Sequence, residues 1–171
     1  MPRGVTLPVT DPCRRRARAV VAAEGWWHEM NRDELAQLDD KGMAAWDAHK
    51  SGDFVGLFAD RFEWIDDGTP APMRSTDEIR AYVDAWFTAF PDLRTRETNR
   101  VIGEDSVAAE VEFTGTNTGP IMMGGRQMPA TGRAVTGHAT YFARAEDGKI
   151  VEFHSHPDAA GMMAQLGMMP S

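Results

Sequence analysis

The residues best suited to chemistry cluster late in the chain, where His154-Ser155-His156 is followed by Asp158. In an extended segment His154 and His156 share one face, and imidazole with carboxylate is a common donor set for zinc or iron. Two histidines and one aspartate packed so closely at a strand end seldom converge on one ion, so no metal is expected. Proton transfer suits the imidazoles better, because they titrate near neutral pH. Strict alternation groups His154 with Glu152 and Ile150, opposite Val151, Phe153 and Ser155. That assigns Glu152 and His154 to an outer face, in a polar network with Glu110, Glu112, His138 and Thr140. His156 is different: Pro157 ends the ladder, so a turn can swing its ring toward a pocket mouth. His49 is a weaker candidate.

Asp66 follows Trp64 by two residues and so shares its strand face. Against Trp46, Trp64 or Trp86, a carboxylate has its charged form destabilised and its pKa raised toward the general acid/base range. Equally, Asp66 or Asp67 can serve only to start the turn at Gly68. Tyr141 has the parity of Val135, Gly137 and Ala139, which offers its phenol to a pocket, or else a buried hydroxyl bonded to backbone. In Gly115-Thr116-Asn117-Thr118-Gly119-Pro120, Asn117 can donate to and accept from a ligand carbonyl. The methionines that follow, Met123 among them, suit an irregular apolar guest. The expected catalytic set is therefore Asp66, Tyr141 and His156. Trp46, Trp64, Trp86, Phe113, Asn117, Met123 and Ser155 are the expected substrate-binding residues.

Helices and strands must hold these groups. Leu35, Leu38, Met43, Ala44 and Trp46 recur at approximately helical spacing over Asp33 to Lys50, and Ser51-Gly52-Asp53 breaks the run. Asp53 is expected to cap a short helix through Phe58. Arg61 to Asp66 reads as a strand that ends in the turn Asp67-Gly68-Thr69-Pro70. Ser75 or Thr76 caps the next helix, with Asp77 and Glu78 in its first turn. Ile79, Tyr82, Val83, Trp86, Phe87 and Phe90 form its apolar stripe. Beyond Pro91 the period becomes that of strands. Val107, Ala109, Val111 and Phe113 alternate with Glu110 and Glu112, which predicts one buried and one outward face. Val135 to Arg144 and Ile150 to His156 are two further strands, joined by a hairpin at Glu146-Asp147-Gly148-Lys149.

Helices first and strands afterwards predict an α+β domain. The chain has 171 residues, enough for one sizeable core. Residues 1–32 are read as an extension, comprising a Pro-rich arm and a short helix over Arg14 to Trp27, and residues 33–171 as the domain. A net charge of −8 argues against duplex nucleic acid as a partner. Cys13 is the only cysteine, which rules out an internal disulfide or a Cys-rich metal site and fits a cytoplasmic home. No stretch reaches the roughly 20 apolar residues of a membrane span, and Gly124-Gly125 lacks the context of a phosphate loop.

Taken in order, Gly115-Thr116-Asn117-Thr118-Gly119-Pro120, Pro129-Ala130-Thr131-Gly132-Arg133, Asp147-Gly148-Lys149-Ile150, Pro157-Asp158 and Gln165-Leu166-Gly167 resemble the C-terminal half of the SnoaL-like polyketide cyclases. These are small proteins of the nuclear transport factor 2-like and ketosteroid isomerase-like superfamily. Trp46, Ser51-Gly52-Asp53, Asp66-Asp67-Gly68-Thr69-Pro70 and Phe90-Pro91-Asp92-Leu93 extend the resemblance back to about Asp33. It implies a cone in which three helices pack inside a strongly bent, mixed or antiparallel sheet, with a pocket between them and a homodimer formed across the outer sheet face. In the family's cyclases an aspartate just past the hairpin is the general acid/base, helped by a histidine on the preceding strand. Alignment on Asp147-Gly148-Lys149-Ile150 puts Ser155 and Tyr141 at those two places. The implied activity is cofactor-independent acid/base chemistry, by a cyclase, isomerase or lyase, on a small hydrophobic carbonyl-bearing metabolite. The alternatives are a ligand binder without chemistry, or a hydrolase or dehydratase using His156 and Asp158.

Overall fold

The computed structural model describes residues 30–123 and 126–169. The arm and helix expected ahead of residue 30 lie outside them. Asn31 caps α1 (Arg32–Asp47) through a reciprocal box with Glu34, and Ser75 caps α3 (Thr76–Ala89) the same way with Glu78. Each box satisfies first-turn amides that have no partner inside the helix. Between them lie α2 (Ser51–Val55) and strand β1 (Phe58–Asp66). Asp53 sits within α2 and does not cap it, because the N-cap residue is Lys50 and makes no side-chain bond.

Three long strands follow: β2 (Arg94–Ile102), β3 (Ser106–Thr116) and, after a ribbon of β4 (Ile121–Met123) with β5 (Arg126–Met128), β6 (Ala134–Glu146). The hairpin to β7 (Lys149–Pro157) turns at Asp147 and Gly148, both with positive φ, 49° and 76°. That pairing is what a two-residue turn of the right twist requires. A fourth helix, α4 (Ala159–Leu166), is capped by Asp158 and ends at left-handed Gly167.

The five long strands form one sheet in the order β1-β7-β6-β3-β2. Only β1 on β7 is parallel, so the α+β sheet is mixed. Alternation on β3 holds as read, with Val107, Ala109, Val111 and Phe113 inside. Along β7 it does not. Val151 is an extra residue between the pairs Arg144 with Glu152 and Ala145 with Ile150. The bulge turns Ile150 into the core, away from the outer face it was expected to share with Glu152 and His154. A second bulge at Thr98 on β2 lies between the pairs Glu97 with Val111 and Asn99 with Glu110.

α1 and α3 cover the concave face, with Leu35, Ile79, Val83 and Phe90 fully buried. Gly137 on β6 lies under the Phe113 ring, where a β-carbon would come within 2.1 Å of Phe113 Cζ. Gly137→Ala must therefore displace that ring, and urea denaturation should show a loss of about 1–3 kcal/mol. Unchanged stability would mean that the ring moves freely.

Candidate active site

One rung crosses the whole sheet and carries most of its inward polar groups. Asp66 on β1 pairs with Ser155 on β7, Ser155 with Tyr141 on β6, Tyr141 with Ala109 on β3, and Ala109 with Arg100 on β2. Residues so paired have β-carbons roughly 5 Å apart. The neighbouring inward rung is Trp64, Phe153, Ala143, Val107 and Ile102, so the polar row is flanked by apolar surface. Above it lies a cavity of about 140 Å³, closed by Leu35, Leu38, Asp39, Met43 and Trp46 of α1, Phe54 of α2, and Tyr82 and Trp86 of α3.

Asp66 is 4% exposed. Its partners are neutral: the Gly68 amide donates to Oδ1 over 2.8 Å and the Ser155 hydroxyl donates to Oδ2. Among the described residues no cation pairs with it. Ser155 in turn accepts the Trp64 indole N–H over 2.7 Å. Gly68 is needed here, because a β-carbon would lie 2.9 Å from Asp66 Oδ1. The Tyr82 hydroxyl faces both Asp66 and Trp86, and burial, reinforced by the Asp66 charge, pushes its pKa well up.

At the other end, Tyr141 donates to Asp39 Oδ1 over 2.6 Å. Burial first, and the Asp39 charge second, push the phenol up, so it stays protonated. Arg100 holds Asp39 Oδ2 at 3.0 Å, and also contacts Asp40 at 2.6 Å and Glu97 at 3.5 Å. The hydrogen bonds to Asp40 and Asp39 raise the pKa of the guanidinium. Three carboxylates around one arginine leave excess negative charge. Glu97 responds with a raised pKa, caused by burial first and by Asp39 in part, against the pull of Arg100. Among the described residues, Thr95 Oγ1 is the buried side-chain polar atom without a hydrogen-bond partner, and Thr95 lines the cavity.

Of the expected residues, Asp66, Tyr141, Trp46, Trp64, Trp86, Phe113 and Ser155 line this cavity. His156 does not. Its Nδ1 lies 2.8 Å from Asp67 Oδ2, and its ring is 40% exposed on the outer side of the sheet. The pairing of His156 with Asp158 fails as well, since Asp158 Oδ1 accepts the Gly161 amide at the start of α4. Asn117 is fully buried away from the cavity, and its amide is consumed by four bonds, to Ala89 O, Gly119 O, Thr131 N and Thr131 Oγ1. It clamps loops and has no capacity left for a ligand. Met123 ends β4, and its side chain lies outside the described set. His49 stacks on Phe87 and contacts Leu93 O. His154 lies 3.2 Å from Glu152 on the outer face, as read, but Arg144 and Arg96 take Glu152 and Glu112 there.

Sequence reasoning missed Asp39 and Arg100. Asp39 was findable: it lies four residues after Leu35 and four before Met43, inside an apolar stripe. Arg100 was not, because only the Thr98 bulge brings it to the inner face.

A family model described as SnoaL-like polyketide cyclase matches residues 36–166. The fold is similar to that of AclR of Streptomyces galilaeus, described as a candidate hydroxylase, which is 25% identical with a TM-score of 0.71 over 82% of this chain and 85% of AclR. TsrD of Streptomyces laurentii is also 25% identical, with a TM-score of 0.71 over 82% of this chain and all of TsrD, 100%. IdmH of Streptomyces antibioticus, described as a candidate polyketide cyclase, is 24% identical with a TM-score of 0.65 over 77% and 97% of the two chains. No curated protein matches this chain in sequence. No helix among the described residues is long and apolar enough to cross a membrane.

Because the folded-state pKa of Glu97 is raised, the stability it contributes is present below the ordinary glutamate range and lost as pH rises through the folded value. Glu97→Gln should therefore melt higher than the parent near pH 8, with the advantage vanishing toward about pH 4. A difference that is constant with pH would contradict this.

Proposed function

Because the chain belongs to the SnoaL-like polyketide cyclase family, we propose that it is an enzyme that moves protons without a cofactor on a small hydrophobic carbonyl-bearing metabolite. The observation that carries this reading is Asp66, a buried carboxylate in an apolar cavity, held by neutral donors and facing no cation among the described residues. Its oxygens are fixed by the Gly68 amide and the Ser155 hydroxyl at the wall of the cavity, within reach of a bound ligand. Asp66 is the base that takes a proton from the carbon beside the ligand carbonyl and returns it where the bond order has changed, as a cyclase, isomerase or lyase requires. Trp64 and Ser155 hold it in position, while Trp46, Trp86 and Phe113 enclose the carbon skeleton. In this reading, Asp66 does from β1 what the resemblance assigns to an aspartate at the place of Ser155.

The proposal extends to a homodimer through the outer sheet face. Val101 and Phe142, 64% and 56% exposed, lie on one outer rung, Ile65, His154, Phe142, Ala108 and Val101. Sedimentation velocity should give twice the mass of one chain, and Phe142→Asp should halve it. A monomer at all concentrations would sink this part.

For the chemistry, proton abstraction can be read before the natural substrate is known. The protein should speed the replacement of the benzylic hydrogens of 4-hydroxyphenylacetone by deuterium in D2O, followed by proton NMR. Asp66→Asn should lower the rate by about two to four orders of magnitude while leaving the fold intact by circular dichroism. Equal rates for the parent and Asp66→Asn would leave the cavity as a binding site without this chemistry.

A further inference from the structure

Along the polar rung the hydroxyl protons go to protein acceptors. Tyr141 has one proton, and it goes to Asp39, which Arg100 holds at 3.0 Å. Ser155 has one proton, and it goes to Asp66, while the Trp64 N–H goes to Ser155. A hydroxyl has one donor and two acceptor lone pairs, and an ionised carboxylate only accepts. The polar rung thus meets the cavity as a row of oxygen acceptors whose own protons are already committed. Among the lining groups, the Thr95 hydroxyl is buried without a partner, so its proton is free for a ligand.

We propose that Tyr141, backed by Asp39, is the receptor for a hydroxyl group of the ligand, so that the cavity selects carbonyl compounds that carry a free hydroxyl. The ligand O–H donates to the Tyr141 oxygen, and its carbonyl accepts from Thr95. Tyr141 thus meets the ligand as an acceptor, because its own proton is committed to Asp39. A phenol whose pKa is pushed up by burial does not ionise, so it keeps its proton on Asp39 and its lone pairs toward the ligand. Capping the ligand hydroxyl with a methyl group removes the donor and leaves a buried acceptor unpaired, which is the expensive outcome for a polar group. The identity of the ligand as a carbonyl compound rests on the proposed function. Recognition of its hydroxyl does not depend on whether Asp66 performs chemistry.

The test is isothermal titration with 4-hydroxyphenylacetone and with 4-methoxyphenylacetone. The parent protein should bind the hydroxy compound at least about tenfold more tightly. In Tyr141→Phe the ratio should fall to about threefold or less, and in Thr95→Val both compounds should weaken by the same factor. A parent ratio near one, tighter binding of the methoxy compound, binding of neither, or an unchanged ratio in folded Tyr141→Phe would overturn the proposal. Should Tyr141→Phe fail to fold, the parent ratio and Thr95→Val decide it. Loss of the Asp66→Asn effect on deuterium exchange, with the ratio preserved, would overturn the function alone.

Discussion

A carboxylate buried without a cation constrains everything around it. Stripped of water, Asp66 must find hydrogen bonds, and each nearby feature of the sequence supplies one or makes room for it. Gly68 lets the backbone amide approach to 2.8 Å, which any β-carbon would obstruct. Ser155 reaches the second oxygen because β1 pairs with β7 in parallel, and that register sets the two residues opposite each other. Trp64 holds Ser155 from the next inward position of β1 while its ring packs on Phe58, Tyr82 and Phe153. Shifting β1 by one residue along β7 would break all of these contacts together, since a one-residue slip sends every side chain to the opposite face.

The opposite end of the rung obeys a different rule. Asp39 is buried with a cation, yet Arg100 is shared among Asp39, Asp40 and Glu97, so the cluster carries surplus negative charge. Burial first, and the Asp39 charge in part, raise the Glu97 pKa there. Two carboxylates, Asp66 on β1 and Asp39 on α1, thus meet the same cavity in different surroundings, one held by neutral dipoles and the other fixed by a guanidinium. Groups held so differently suit different tasks. The carboxylate clamped by arginine orients a neighbour, as Asp39 does Tyr141, whereas the one held by neutral donors stands at the cavity wall.

Much of this was legible in the sequence. The caps at Ser75 and the turn at Asp147-Gly148 are local chemistry, and the buried faces of β3 and β6 follow from period-2 alternation, so those elements and the inward Tyr141 could be read directly. Asp66 could be read too, because Trp64 lies two residues before it. The illegible parts share a cause: they depend on contacts between distant segments or on a single inserted residue. The bulges at Val151 and Thr98 reverse parity beyond them, turning Ile150 and Arg100 inward against strict alternation. Asn117 looked like a ligand contact because its amide is versatile. Only the folded chain shows that Ala89, Gly119 and Thr131 already use it up. His156 likewise had a free choice until Asp67, at the far end of β1, captured it on the outer side.

A serine at position 155, where the resemblance implies an aspartate, therefore need not leave the cavity without a carboxylate. On a sheet, the direct cross-strand neighbour of a residue lies roughly 5 Å away on the same face, about the reach of one hydrogen-bonded side chain. A carboxylate moved from β7 to the paired position on β1 still meets the same cavity, provided the residue left behind can bond to it. Serine meets that condition: its hydroxyl donates to Asp66 and accepts from Trp64, and it fills less space than an aspartate would. Alanine at the same place would leave both Asp66 and Trp64 short of a partner. The pairing of Asp66 with Ser155 thus reads as one unit, a carboxylate on β1 held by the hydroxyl opposite it on β7.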